Sequence, residues 1–320
     1  MNVQAVMRSL TATFTLFSFN QVEYIRDAVK GVLSQQAVNL KVIISDDNST
    51  DGTWEVIKDE VKSYTGPHDL VVRKNYQNLG LIAHMNEVIR SIDTDIVIMS
   101  AGDDISMSHR TNVLLEAFYE SPDIMLVHSS VTPLLDFDLT CTKQHCKEIL
   151  NPPLIDINLI NAAGSLGSYI GASGAFRTQV FSRFGDIMYE QVYEDLIFAF
   201  RASLLGKVKF VEEPLLYYRT GIGISSLGHI AHLRSTEKKI YLMSHASAVF
   251  SQRLRDLNCT DHPKKEMLTK LLIFKRSRSN LYVVYLKSKL SFLKEFRISN
   301  IRPWFAVLYD RLAIFKNQTS

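Results

Sequence analysis

Cysteine is scarce in this chain, and long apolar runs are missing. Three cysteines, at positions 141, 146 and 259, are too few and odd in number for a disulfide scaffold. Cys141 and Cys146 have no second pair with which to complete a tetrahedral zinc site. Free thiols fit a reducing compartment, so an intracellular location is expected. Fourteen glycines and eight prolines in 320 residues exclude a collagen-like or low-complexity chain. No window holds the roughly eighteen apolar residues that a spanning helix needs. Residues Thr11–Phe19 alternate apolar side chains with Thr and Ser, a strand pattern that contains no signal-peptide block.

What is present describes a folded chain: 46% hydrophobic and 22% charged residues, with two domains as the prior from length. The net charge of +3 hides a division. Residues 229–320 hold 18 Lys and Arg against 6 Asp and Glu, a net +12, which leaves −9 on the first 228. An acidic body therefore precedes a basic tail, and the two are expected to meet different partners.

The body alternates strands with helices. After the first strand, Ile25, Ala28, Val29, Val32 and Leu33 recur at helical spacing. The run Leu40–Ile44 is short and β-branched, and it stops at Ser45-Asp-Asp-Asn-Ser-Thr-Asp-Gly-Thr53. A second helix from Thr53 carries Trp54, Ile57 and Val61. Strand Leu70–Arg73 leads to Asn75–Gly80, then to a helix through Ile82, Met85, Ile89 and Ile92. Strand Asp95–Met99 ends at Ser-Ala-Gly-Asp-Asp104. Such alternation makes an α/β fold with a mostly parallel sheet, and ligands on these sheets bind outside the carboxyl ends of the strands.

Both acidic pairs, Asp46-Asp47 and Asp103-Asp104, fall at such ends. Asp also closes turns and caps helices, and either pair alone fits that role. Two pairs on one sheet point further. Carboxylates held close repel unless a cation or donors compensate them, and hard oxygens select Mg²⁺ or Mn²⁺, which complete their shells with phosphate and water. The implied ligand is a diphosphate.

The ordered set Ser18-Phe-Asn20, Ser45–Thr53, Asn78-Leu-Gly80, Ala101-Gly-Asp-Asp104 and Tyr193-Glu-Asp-Leu196 resembles the GT-A domain of family 2 glycosyltransferases. These are inverting enzymes that use nucleotide-diphospho-sugars. The resemblance covers roughly residues 10–228, as a GT-A domain of Rossmann-like type; residues 229–320 form a basic, amphipathic helical extension. It implies that Phe17 and Phe19 line the nucleoside pocket, Phe19 having an ordinary core aromatic as its other reading. It implies that Asp47 accepts a hydrogen bond from the pyrimidine and that Asp46 supports that loop. Asp104, with Asp103, would hold Mn²⁺ or Mg²⁺, Asp103 also reaching sugar or ribose. Here the chain departs from the Asp-x-Asp-Asp pattern of many members, with Ala101 in place of one acid. Asp195 matches the catalytic base, preceded by Glu194. An acid stabilising the start of a helix is the competing reading.

The glycine-dense stretch Gly164–Ala175 suggests close approach to a ligand, with Gly171 and Ser173 on the acceptor side, or else a tight strand entry. Tyr217–Ser226 resembles the family's mobile segment after the last core strand (expected over Val208–Val211), and Arg219 is its candidate diphosphate contact. His109 and His128 are expected to cap or pack.

In the tail, Leu281–Phe296 and Ile301–Phe315 mix apolar residues with Lys287, Lys289, Lys294, Arg297, Arg302 and Arg311, while Trp304, Leu308, Leu312 and Phe315 recur at helical spacing. Such helices lie on an anionic membrane surface or pack on the body with a basic face in water. No nucleic-acid motif accompanies the charge. The resemblance implies transfer of a hexose, first UDP-glucose or UDP-galactose, to a lipid-diphosphate-linked saccharide in bacterial O-antigen synthesis. The expected place is cytoplasmic, peripheral on the inner face of the cell membrane. The alternative is a non-catalytic sugar-nucleotide binder or a receiver-like module, which Lys41–Asp47 superficially suits.

Overall fold

The computed structural model describes residues 10–37, 40–134, 157–167, 169–219 and 233–318. Four strands run parallel in the order β3 (Asp69–Lys74), β2 (Leu40–Asp46), β1 (Ala12–Ser18), β4 (Ile96–Ala101). Every residue of β1 is buried, as expected of a parallel strand covered on both faces. The crossovers are α1 (Ile25–Leu33), α2 (Thr53–Lys62) and α3 (Leu81–Arg90).

Past β4 and the two-residue β5 (Ile105–Ser106), the sheet becomes mixed. Helix α4 (Arg110–Tyr119) leads to β6 (Ile124–Leu134), followed by α5 (Leu159–Gly164), β7 (Gly174–Arg177), α6 (Gln179–Ser182), α7 (Glu194–Leu205) and β8 (Lys207–Arg219). Strand β7 is antiparallel to β4 and β6; β6 runs parallel to β8, which closes on β5.

Two elements differ from the sequence reading. The last core strand runs to Arg219, well past Val211, because β8 bulges at Glu212–Glu213, with Val211 opposite Ser129 and Pro214 opposite Ser130, and then pairs with β6 again. Tyr217, Tyr218 and Arg219 are therefore paired strand residues; Thr220–Ser226 lie outside the described residues. Helix α7 is buried all round from Leu196 to Leu204 instead of along one stripe, since it is packed between β6, β8 and the tail.

The tail has two parts. Helices α8 (Ser235–Asn258) and α9 (Lys265–Lys287) put Val249, Phe250, Leu254, Leu257, Leu268 and Leu272 into the same core as Phe176, Phe181, Phe198 and Phe200. A buried ion pair, Arg201 Nε to Asp256 Oδ2 at 2.8 Å, ties α7 to α8. Leu281–Phe296 is not one helix. Ser288 ends α9 in an extended conformation, and its side chain accepts from Ser291 N–H to start α10 (Lys289–Lys294). Helix α11 (Ile301–Gln318) follows, with Leu281, Phe292 and Val307 as its own small core. The side chains of Arg311, Leu312 and Phe315 lie outside the described residues. No helix among the described residues is long and apolar enough to cross a membrane.

Candidate active site

Strand register places the acids. Ser18 stands opposite Asp46, Phe17 opposite Ala101, and Asp46 opposite Lys74, so β1 to β4 end along one line. With strands about 4.8 Å apart and β1 between them, the two acidic turns stand about 10 Å apart on one edge.

Asp46 is buried and accepts from Ser49 N–H at 2.9 Å and from the Ser18 hydroxyl at 3.2 Å, which fixes the turn after β2. Asp47 accepts from Asn75 Nδ2 at 2.7 Å and from the Leu79 and Gly80 amides, each at 2.9 Å. Three of its roughly four acceptor positions are thus filled. The loop it holds needs Gly80, whose φ of +79° disfavours any side chain. Asp51 caps the next helix by accepting from Thr53 and Val22, and these bonds outweigh the effect of burial to lower its pKa.

Phe17 does not face the edge. It is buried, and its ring meets His84 edge-on at 5.2 Å within the core. Phe19, just past β1, is 38% exposed and so is no core aromatic.

Asp103 and Asp104 are both buried beside Gly102. Burial first, then the charge of Asp103, pushes the Asp104 carboxyl up to about 8, against the pull of the Arg219 amide and Arg110. Burial also raises Asp103. Arg219 is held beneath the pair: its amide donates to Asp104 Oδ1 at 2.9 Å, its Nε donates to the Asp103 carbonyl at 3.1 Å, and its guanidinium lies 4.3 Å from the Tyr24 ring centre. It buttresses the acids rather than standing out from the edge.

The third acid joins the site through the glycine turn. Glu194 and Asp195 open α7, partly buried. A Cβ on Gly171 would lie 2.6 Å from Glu194 Oε1 and 3.5 Å from the Asp195 Cβ, so this turn packs against the start of α7 and a larger residue there would displace the Glu194 carboxylate. Ser173 is buried and gives its hydroxyl to the Ile170 carbonyl at 2.7 Å, which directs it into the turn and away from any acceptor. Burial and then the neighbouring Glu194 push Asp195 up to about 8; the Leu196 amide and Arg253 pull it down. Glu194 is raised by burial too. Tyr169 lies near both, its hydroxyl buried without a hydrogen-bond partner among the described residues.

Two arginines absent from the sequence reading hold these pieces together. Arg110 is fully buried and donates to Ser106 Oγ at 2.9 Å, the Met99 carbonyl at 2.9 Å and the Ala172 carbonyl at 2.7 Å. It thereby links the end of β4 to the Gly171 turn and faces Asp104. Burial pushes it down to about 10. A cation in the first turn of a helix opposes the dipole, and that anomaly was the available signal. Arg253, from α8, donates to the carbonyls of Ala163, Ser165 and Leu196, at 3.2, 2.7 and 2.9 Å. No local pattern marks it. His128 packs between Tyr169 and Phe210, as expected, whereas the His109 side chain makes no cap bond and pairs with Glu213 at 2.8 Å.

A sheet that is parallel over its first half, with acids along its carboxyl edge and a third acid reached across a glycine turn, is a GT-A fold. The chain belongs to glycosyl transferase family 2, whose model matches residues 15–185. An uncharacterized glycosyltransferase of Nostoc sp. is 24% identical over 212 residues, 63% of this chain and 62% of that protein. The putative glycosyltransferase EpsE of Bacillus subtilis is 29% identical over 92 residues, 29% of this chain and 32% of that protein. The chain thus spans less than two thirds of the length of these relatives. Among solved structures, the Pyrobaculum calidifontis mannosyltransferase PcManGT, in complex with GDP-Man and Mn²⁺, matches with a TM-score of 0.56 at 15% identity over 95% of this chain and 80% of that one. S. aureus TarS 1–349, in complex with UDP-GlcNAc, gives 0.53 at 15% identity over 93% and 90%.

Proposed function

We propose that the chain is an inverting glycosyltransferase. In this reading it moves a hexose, first UDP-glucose or UDP-galactose, onto a hydroxyl of a lipid-diphosphate-linked saccharide in bacterial O-antigen synthesis, at the inner face of the cell membrane. The observation that supports it is that Arg110 joins the Met99 carbonyl, near the end of β4 and its acid pair, to the Ala172 carbonyl, in the turn whose Gly171 packs against the start of α7. Uridine is favoured because Asp47 has one acceptor position left after its bonds to Asn75, Leu79 and Gly80.

Asp104 and Asp103 suit a divalent cation. Two adjacent buried carboxylates, both with raised proton affinity, are a donor set that a hard cation would relieve. Bound there, Mn²⁺ or Mg²⁺ would offset the charge that grows on the departing diphosphate. The chain's own groups account for the rest. Asp195 takes the proton of the attacking hydroxyl as the new bond to the anomeric carbon forms and the bond to the diphosphate oxygen breaks. The unperturbed carboxylate value near 3.9 does not apply, because Asp195 near 8 is a base better matched to neutral pH. One displacement inverts the anomeric carbon, so an α-linked donor gives a β linkage. Arg110 and Gly171 fix the distance between base and acids.

The test is a panel of UDP-, GDP- and dTDP-sugars with a carrier-linked acceptor, followed by analysis of the intact product. Transfer of one hexose with inversion supports the reading. Nucleotide binding without transfer from any donor would favour the non-catalytic binder. Family membership sets the receiver-like alternative aside.

A further inference from the structure

The tail's charge was legible in sequence, but the structure divides it. Helices α8 and α9 give their apolar side chains to the main core. The segment from α10 into α11 does the reverse. Phe292 stacks on Trp304 at 5.1 Å and 4°, the Trp304 indole N–H donates to the Phe292 carbonyl at 3.2 Å, and Val307 and Leu281 close that small core. With the inward side so filled, Leu290, Leu293, Phe296, Ile298, Phe305 and Tyr309 remain exposed, Ile298 to 87% and Tyr309 to 73%. Ile301, Phe305 and Tyr309 form a second apolar stripe on α11, at i, i+4 and i+8, around a shallow hollow that includes Arg302.

Among the described residues, the exposed cations of this segment are Lys287, Lys289, Lys294, Arg297 and Arg302, against one exposed acid, Glu295. Asp310 is engaged with Arg278. An exposed apolar patch ringed by one sign of charge marks a contact surface. A protein partner of matching shape would call for a concave or flat complement. Long aliphatic cations around protruding Leu, Ile and Phe instead suit a headgroup layer above an acyl boundary.

We propose that the α10–α11 segment is a membrane-docking face, with Leu293, Phe296, Ile298 and Phe305 entering the interface of an anionic bilayer and the five cations contacting its headgroups. The aromatic core under it makes the face preformed. The basic residues of α8, and those of α9 before Lys287 at its end, take no part. This inference stands on exposure and charge alone and does not depend on the transferase reading.

The test is co-sedimentation of the full chain with phosphatidylcholine vesicles, with and without phosphatidylglycerol. Expected is partitioning at least about tenfold stronger on the anionic vesicles and weakened by salt. An Ile298→Glu/Phe305→Glu variant should lose about tenfold or more, while a Lys238→Glu/Lys239→Glu variant on α8 should bind as the parent does. Far-ultraviolet circular dichroism and thermal melting, measured on the same samples, should be unchanged in both and show that they are folded. Equal partitioning of the Ile298→Glu/Phe305→Glu variant, or none by the parent, overturns the proposal. So does self-association in sedimentation velocity that this variant abolishes, since the face would then be an interface between copies.

Discussion

Replacing Asp195 by Asn removes one charge from the first turn of α7 and leaves its shape unchanged. An Asn oxygen can still accept from the Leu196 amide, which Asp195 Oδ1 does at 2.8 Å. Two effects of opposite sign follow. Loss of the base should lower kcat by about 10²–10⁴, or about 3–5 kcal/mol in activation free energy. Stability should move the other way. The folded value of Asp195, about 8, lies above its ordinary 3.8, so the fold favours the protonated form. That contribution is complete below pH 4 and is lost as pH rises through 8, where the ionised group sits beside Glu194. The Asn variant carries no such penalty, so its melting temperature should match the parent near pH 4, already exceed it at pH 6 and exceed it most at pH 9. Arg253 keeps Asp256 as a counter-charge. The assays are nucleoside diphosphate release at saturating substrates and thermal melts across that pH range. A kcat within about threefold of the parent, or a melting temperature that falls at pH 9, would refute the reasoning.

Arg253→Met removes a cation that holds Asp195 down, so the rising limb of kcat/KM against pH should move to higher pH; an unmoved limb with a lowered melting temperature would mean that Arg253 only supports the fold. Arg110→Met strands the Met99 and Ala172 carbonyls, at about 1–3 kcal/mol each, and urea denaturation should show a loss of roughly 2–5 kcal/mol. Gly80→Ala meets no neighbouring atom but must hold φ +79° with ψ 159°, a region almost confined to glycine, which costs about 1–3 kcal/mol by the same measurement and should weaken donor binding through Asp47.

The four parallel strands and the position of both acidic pairs were readable because each is encoded locally. A β-branched run stops at Asp, Asn or Gly, and the helix that follows has its own period. The bond that Asp46 accepts from the Ser49 amide is also local, spanning three residues. Contacts across the chain were not readable. Arg110 meets Ala172, and Arg253 meets Leu196, only after the sheet and tail have assembled. The outward turn of Phe19 and the inward turn of Phe17 depend on where β1 ends, which alternation alone leaves uncertain by a residue. Arg219 looked free for a phosphate because the last core strand was read as ending at Val211, whereas β8 continues past a bulge at Glu212–Glu213 and carries Arg219 to the acids. The tail's charge was visible, but which helices bury their apolar faces depends on a body surface that no local pattern describes.

The central claim is that the buried pair Asp103–Asp104 exists to share a cation with a nucleotide's diphosphate. Its most direct measurement is a calorimetric titration of UDP and GDP into the parent and into Asp104→Asn, each with Mn²⁺ and with chelator. Tightening of at least about tenfold by Mn²⁺ in the parent, absent in the variant, is the predicted result. Equal affinity with and without the metal in the parent, or the same gain in the variant, contradicts the account.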